Sequence, residues 1–172
     1  MKHLMKTLAV SLFVAGGVTA SADNLLTDTK FSKESGWHFW VNEPVVDAGG
    51  SGMLQDGKAV AKSPAIEKQN YMNIQLIRSI DVEADKSYKV KFRANAEKGG
   101  SLIVSYNLCK SPYTAYARAD VYLNPGEKEY ECTLAIKKGG GNYDAPRSLR
   151  LFFGAFKDAT VSVSDVSFEE VK

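Results

Sequence analysis

Ser87-Tyr88-Lys89-Val90-Lys91-Phe92-Arg93-Ala94-Asn95-Ala96 decides the fold. Tyr88, Val90, Phe92, Ala94 and Ala96 alternate with Lys89, Lys91, Arg93 and Asn95. Side chains along a strand point to opposite faces in turn, so this period of two predicts a strand with one buried and one wetted face. Turn residues bracket it: Ala84-Asp85-Lys86 before, Glu97-Lys98-Gly99-Gly100 after.

Working outward, the same period continues. Residues 71–80 read as a strand, with Met72, Ile74 and Leu76 on one side and Tyr71, Asn73 and Gln75 on the other. Residues 101–109 return as a strand. Residues 120–123 form a short one, turned by Asn124-Pro125-Gly126, and 129–137 follow. Gly139-Gly140-Gly141-Asn142 reads as a flexible loop, and residues 148–156 and 160–168 close the domain. The closing strand alternates through Val161-Ser162-Val163-Ser164, then shifts phase at Ser164-Asp165. The opening Asn24-Leu25-Leu26 and this closing strand are expected to lie close together. No stretch keeps a helical period, and no internal repeat or linker interrupts the chain. Short, evenly spaced strands with Gly, Pro and Asn turns predict an all-β sandwich or barrel.

Lys2 and Lys6 precede an apolar run over residues 8–18, and Ala20-Ser21-Ala22 forms a small-x-small cleavage signal. This pattern predicts a signal peptide over residues 1–22, export, and a single mature domain over 23–172. The run is too short to favour the alternative, an uncleaved anchor, and no later segment is apolar enough to span a membrane. The chain has 22 Lys and Arg against 20 Asp and Glu. Two lysines leave with the leader, which makes the mature chain neutral. A neutral surface argues against long-range capture of nucleic acid or anionic lipid. It suits a neutral ligand or one recognised at short range. Cys109 and Cys132 are the two cysteines. An oxidising compartment would favour a bridge, but Cys132 lies on the apolar phase of its strand and Cys109 ends a strand in the opposite phase. Pairing and two separate thiols both stay open.

The order of elements resembles carbohydrate-binding modules of families 4, 9 and 22. The resemblance is carried by Asn24-Leu25-Leu26, Phe31, Gly36-Trp37, Asp56-Gly57-Lys58-Ala59-Val60, Ile74-Gln75-Leu76, the alternating strand at Tyr88, Leu149-Arg150-Leu151-Phe152-Phe153-Gly154 and Asp165-Val166-Ser167-Phe168. It covers almost the whole mature chain. It implies a two-sheet jelly-roll β-sandwich of the galactose-binding-domain-like type, and a polysaccharide or oligosaccharide partner such as a β-glycan. Relatives often place an acidic residue after the opening Phe to hold a structural calcium. Here Ser32 follows Phe31, which leaves Asp165 as the one carboxylate the resemblance assigns to calcium. The alternative role for Asp165 is to cap its own turn.

A pyranose stacks its C–H face on a flat ring, and its hydroxyls need planar polar partners. Rows of such partners two residues apart suit a concave sheet face. Asn73 and Gln75, Arg93 and Asn95, and Ser105 and Asn107 occupy the non-core phase of three strands, and Arg150 can join from a late strand. The alternative is that they are solvated outer-face residues. Trp37-His38-Phe39-Trp40 puts three large rings in four positions. If it is extended, Trp37 and Phe39 share one side and His38 and Trp40 the other. Trp37, in the family motif, is assigned to packing and Trp40 to the exposed ring. Tyr71 shares a face with Gln75. Tyr113 and Tyr116 are candidates for a rim, and Tyr143 for a flap. The sugar-contact candidates are therefore Trp40, Tyr71, Asn73, Gln75, Arg93, Asn107, Tyr113 and Arg150.

Catalysis is poorly provided for. Glu127, Glu129 and Glu131 share one face of a strand start and read as solvated edge charges rather than an acid and a nucleophile. His38 has no nucleophile elbow beside it. The reading is a secreted, non-catalytic carbohydrate binder, either alone or alongside a secreted glycoside hydrolase. A cell-surface, protein-binding sandwich is the second reading and a small lyase or hydrolase the third.

Overall fold

The computed structural model describes residues 23–172 except Thr27, Lys68, Gln69 and residues 140–142. The expected leader and most of the glycine loop lie outside the described residues. The described residues form ten strands: β1 Trp37–Val41, β2 Ser51–Gln55, β3 Lys58–Ser63, β4 Ile74–Ser79, β5 Ser87–Ala96, β6 Gly100–Leu108, β7 Ala115–Leu123, β8 Gly126–Ala135, β9 Arg147–Phe152 and β10 Ala159–Glu170. They form two five-stranded sheets, ordered β1-β4-β9-β6-β7 and β2-β3-β10-β5-β8, with antiparallel pairing throughout. A short helix, α1 (Glu43–Asp47), begins at Asn42 with Pro in its first turn, where a missing N–H costs nothing. No helix among the described residues is long and apolar enough to cross a membrane.

β5 behaves as its sequence predicts. Tyr88, Val90, Phe92, Ala94 and Ala96 are buried, while Lys91, Arg93 and Asn95 are exposed. Across the sandwich they meet Leu76, Leu102, Val104, Tyr106, Leu149 and Leu151, all fully buried. Phe168 lies at the centre, its ring 5.1 Å from Tyr88 and 6.4 Å from Tyr106. Burying one such side chain stabilises the fold by about 1.5–3 kcal/mol. Among the buried tyrosines, Tyr106 and Tyr143 use their hydroxyls to hold backbone, whereas the Tyr116 hydroxyl is buried with no partner. Tyr106 donates to Ile80 O and accepts from Val82 N, and Tyr143 donates to Val82 O at 2.8 Å. They pin the segment after β4, and burial raises the pKa of both phenols.

The ends of the domain meet as expected. Leu25 N donates to Phe168 O at 2.8 Å. Asn24 Oδ1 accepts from Leu26 N and Phe168 N, so one side-chain oxygen clasps both terminal segments. The phase shift in β10 is a bulge. Pairing with β5 slips between Ser164 and Ser167, and Asp165 takes the left-handed conformation at φ 53°. Asp165 is exposed and accepts a hydrogen bond from Ser164 Oγ. Among the described residues, no three acidic, cysteine or histidine side chains gather at one point.

Candidate functional site

Alternation fails as a guide to burial on one face of the molecule. On β6 and β9 the residues that point away from the core are buried too: Ile103, Ser105 and Asn107, and Ser148, Arg150 and Phe152. These strands are central in the sheet β1-β4-β9-β6-β7, and its outer face is a groove of about 630 Å³. The groove side chains shield one another.

Register places them in rows across the strands. Trp40 sits opposite Gln75, Gln75 opposite Phe152, Phe152 opposite Ile103 and Ile103 opposite Asp120. The next row on the same face runs His38, Ile77, Arg150, Ser105, Arg118. Five strands make each row about 19 Å wide. Trp40 stands at one edge with 46% of its surface exposed, while Trp37 is buried beside Phe31 with centroids 5.4 Å apart. The two indoles are three positions apart on one strand and so face opposite sides, as the sequence implies.

Arg150 lies in the floor and is only 8% exposed. Its Nε donates to Ser148 Oγ, Nη1 to Gln75 Oε1 at 3.1 Å, and Nη2 to Leu108 O. Gln75 is fixed in turn, its Nε2 donating to Met72 O. Burial lowers the pKa of the Arg150 guanidinium, although the nearby Cys109 raises it. Asn107 donates from Nδ2 to Tyr113 O, while its Oδ1 is buried with no partner. Tyr113 sits at φ 55° in the β6–β7 loop, after a cis Ser111–Pro112 peptide, and is 55% exposed above Arg150, whose guanidinium carbon is 5.6 Å from the ring centroid. A bulky residue in the left-handed region is strained and tends to mark a functional loop.

Tyr71 forms the opposite lip. Its ring lies edge-on to Phe152 at 5.6 Å, and the Arg118 guanidinium covers it at 4.8 Å. The turn that carries Tyr71 is held by Gly154, whose N donates to Tyr71 O. A Cβ on Gly154 would collide with the carbonyls of Asn70 and Tyr71. Arg118 itself donates to exposed Asp120 at 3.0 Å.

Six candidates therefore share one groove: Trp40, Tyr71, Gln75, Asn107, Tyr113 and Arg150. Two do not. Arg93 is in β5, on the outer face of the other sheet, and pairs with Glu129 at 2.9 Å. Asn73 ends a 3-10 turn at Tyr71–Asn73, which breaks the strand phase before β4 begins. Its Oδ1 accepts from Asn42 Nδ2 instead of facing the groove. The expected flap and half of the expected rim are also corrected. Tyr143 and Tyr116 are buried and pack edge to face with centroids 5.0 Å apart, and Arg147 covers Tyr143 at 3.9 Å. Arg118 is a groove residue the sequence did not single out. β7 begins at Ala115, five residues before the expected strand, and only that extension brings Arg118 into the row. Both cysteines are free thiols, Cys109 at the groove and Cys132 on β8 in the opposite sheet.

No protein-family model and no curated protein matches the chain. Solved structures do. A structure described as CBM4 superposes with a TM-score of 0.65 at 18% identity, over 88% of this chain and 100% of the other. The second N-terminal cellulose-binding domain of Cellulomonas fimi β-1,4-glucanase C gives 0.62 at 21% identity, over 90% and 98%. The CBM22-1 xylan-binding domain of Paenibacillus barcinonensis Xyn10C gives 0.55 at 11%, over 88% and 97%. At these identities the likeness shows the fold: the chain is a jelly-roll β-sandwich of the kind found in carbohydrate-binding modules.

Proposed function

We propose that this protein is a non-catalytic carbohydrate-binding module that holds a polysaccharide or oligosaccharide, of the β-glycan class, in the groove over β1-β4-β9-β6-β7. The observation that carries the reading is the pairing of rings with fixed planar polar groups. Trp40, Tyr71 and Tyr113 stand at the edges, and Gln75, Asn107 and Arg150 lie between them in the floor. A pyranose offers an apolar face to the rings and hydroxyls to the floor. Beneath the rings Asn107 Oδ1 is buried without a partner, so a sugar hydroxyl would reach it only if the Tyr113 loop over it lifted. Leaving such a group unpaired costs about 1–3 kcal/mol. Hydrolysis would need two carboxylates across the bond. The described residues lining the groove include no Asp or Glu, which supports binding rather than cleavage. In this reading the protein is exported after cleavage behind Ala22 and works on extracellular glycan, alone or beside a secreted glycoside hydrolase.

Affinity electrophoresis against soluble glycans tests the proposal. Retardation of the wild type, lost in Trp40→Ala and Gln75→Ala, is the expected result. Unchanged mobility on every glycan would sink it in favour of a protein-binding sandwich. Release of reducing ends or unsaturated products would reveal an enzyme.

A further inference from the structure

The groove floor carries a guanidinium that no carboxylate among the described residues neutralises. Its described lining holds two guanidiniums, Arg118 and Arg150, and no carboxylate. Arg118 has Asp120 beside it at the end of the row. Arg150 has no carboxylate partner: it is more than nine-tenths buried, and its three hydrogen bonds go to a hydroxyl, an amide oxygen and a backbone carbonyl. The titratable acids that offset its burial are the Cys109 thiol and, to a lesser degree, the Tyr113 phenol. A buried cation without a counter-charge is costly, and a burial-depressed pKa is the sign of that cost. On the opposite sheet the three outward cations of β5 each have a glutamate: Lys89 with Glu131, Lys91 with Glu169 and Arg93 with Glu129. Arg150 is also the residue placed for contact. Five N–H donors project from a guanidinium. Gln75, Ser148 and Leu108 take three, and Tyr113 overhangs the group from the open side of the groove.

Resting on the binding reading above, we infer that the groove selects an acidic glycan, with the carboxylate of a uronic acid residue seated on Arg150 within reach of Arg118. A carboxylate matches the planar fork of a guanidinium better than a hydroxyl can, and the low-dielectric floor strengthens the pair. Overall neutrality does not oppose this, because the recognition is short-range.

Isothermal titration with matched pairs separates the possibilities. The probes are glucuronoxylan against the same xylan stripped of its glucuronic acid, and polygalacturonate against its carboxyl-reduced form. A sulfated galactan tests whether any anion suffices. The acidic member of at least one pair is expected to bind roughly tenfold to a hundredfold more tightly. That advantage shrinks as salt rises. It disappears in Arg150→Gln and falls in Arg118→Gln, a variant at an exposed position that keeps the floor intact. Circular dichroism confirms that Arg150→Gln is folded. Equal or weaker binding of the acidic member in both pairs overturns the inference and leaves the binding reading standing. Sulfated galactan binding as tightly as the carboxylated probes overturns the assignment to a uronic acid. Absence of binding to all of these probes, neutral and acidic, fails both readings together.

Discussion

The two outward faces of the sandwich are built from the same number of strands and handle charge in opposite ways. On β5, β8 and β10 the outward lysines and arginine lie opposite glutamates on neighbouring strands, in the open, where water already satisfies them. Such pairs add little to stability and mainly keep a sheet face soluble. On β4, β9 and β6 the outward residues are apolar, amide-bearing or hydroxyl-bearing, β7 adds the Arg118–Asp120 pair at the edge, and the central arginine rests on neutral groups under a tyrosine. The difference teaches where selection for more than solubility shows. A face built only to be wet closes its own charges. The other face keeps in its floor a cation with no carboxylate beside it and a buried amide oxygen with no partner.

The comparison can be broken most severely through the core the faces share. Phe168→Ala should cost about 3–5 kcal/mol, seen as a lower denaturant midpoint, and glycan retention and β-sheet circular dichroism should fall together. The next largest effect separates the faces. Trp40→Ala should weaken glycan binding by about 2 kcal/mol, roughly thirtyfold, without lowering the melting temperature, because the ring is half exposed. Arg93→Ala, on the paired face, should leave affinity unchanged in the same titration. Loss of binding there would undo the assignment of one face to ligand. Gly154→Ala should act from behind the groove. It pushes on the Tyr71 turn, so binding falls several-fold and the melting temperature drops by a few degrees, and Gly154→Ser should do the same.

The smallest effect is a contrast of thiols. Burial pushes the Cys132 thiol up to about 11, since a buried sulfur resists becoming thiolate. At pH 8 about one Cys132 in a thousand is then reactive, and its alkylation should accelerate about tenfold per pH unit up to pH 10. Linkage has the same sign. The folded state holds this proton more tightly than the unfolded chain, so its contribution to stability is intact below about pH 8.5 and is lost as the pH rises toward 11. Bound glycan should slow iodoacetamide labelling of Cys109, which lines the groove, and leave Cys132 untouched. Equal protection of both thiols would mean that the ligand acts by tightening the whole sandwich.

Much of the sheet was legible because period two is a strong signal wherever one face is buried. β5, the Trp37 and Trp40 phases, the inward set of β6 and the bulge at Asp165 all follow from it. What periodicity lacks is the identity of the neighbouring sheet. Arg93 and Gln75 both occupy the wet phase of a strand, yet long-range pairing sends β4 and β5 to different layers. Asn73 was misplaced for a local reason, since a 3-10 turn over Tyr71–Asn73 rotates its side chain out of the strand phase. Arg118 was hidden because β7 starts with alternating alanines, which carry little pattern until β6 is known to lie beside them. Tyr143 looked mobile because glycines precede it, but its ring finds Tyr116 and its hydroxyl finds Val82 O.

The clasp at Asn24 settles how the groove faces the world. Its partners are in β10, and β10 belongs to the sheet behind the groove. A tether joined ahead of Asn24 or beyond Glu170 would therefore grip the molecule by its back. Rows of Trp40 and Arg150 would remain turned outward, free to meet a surface rather than the support that carries them.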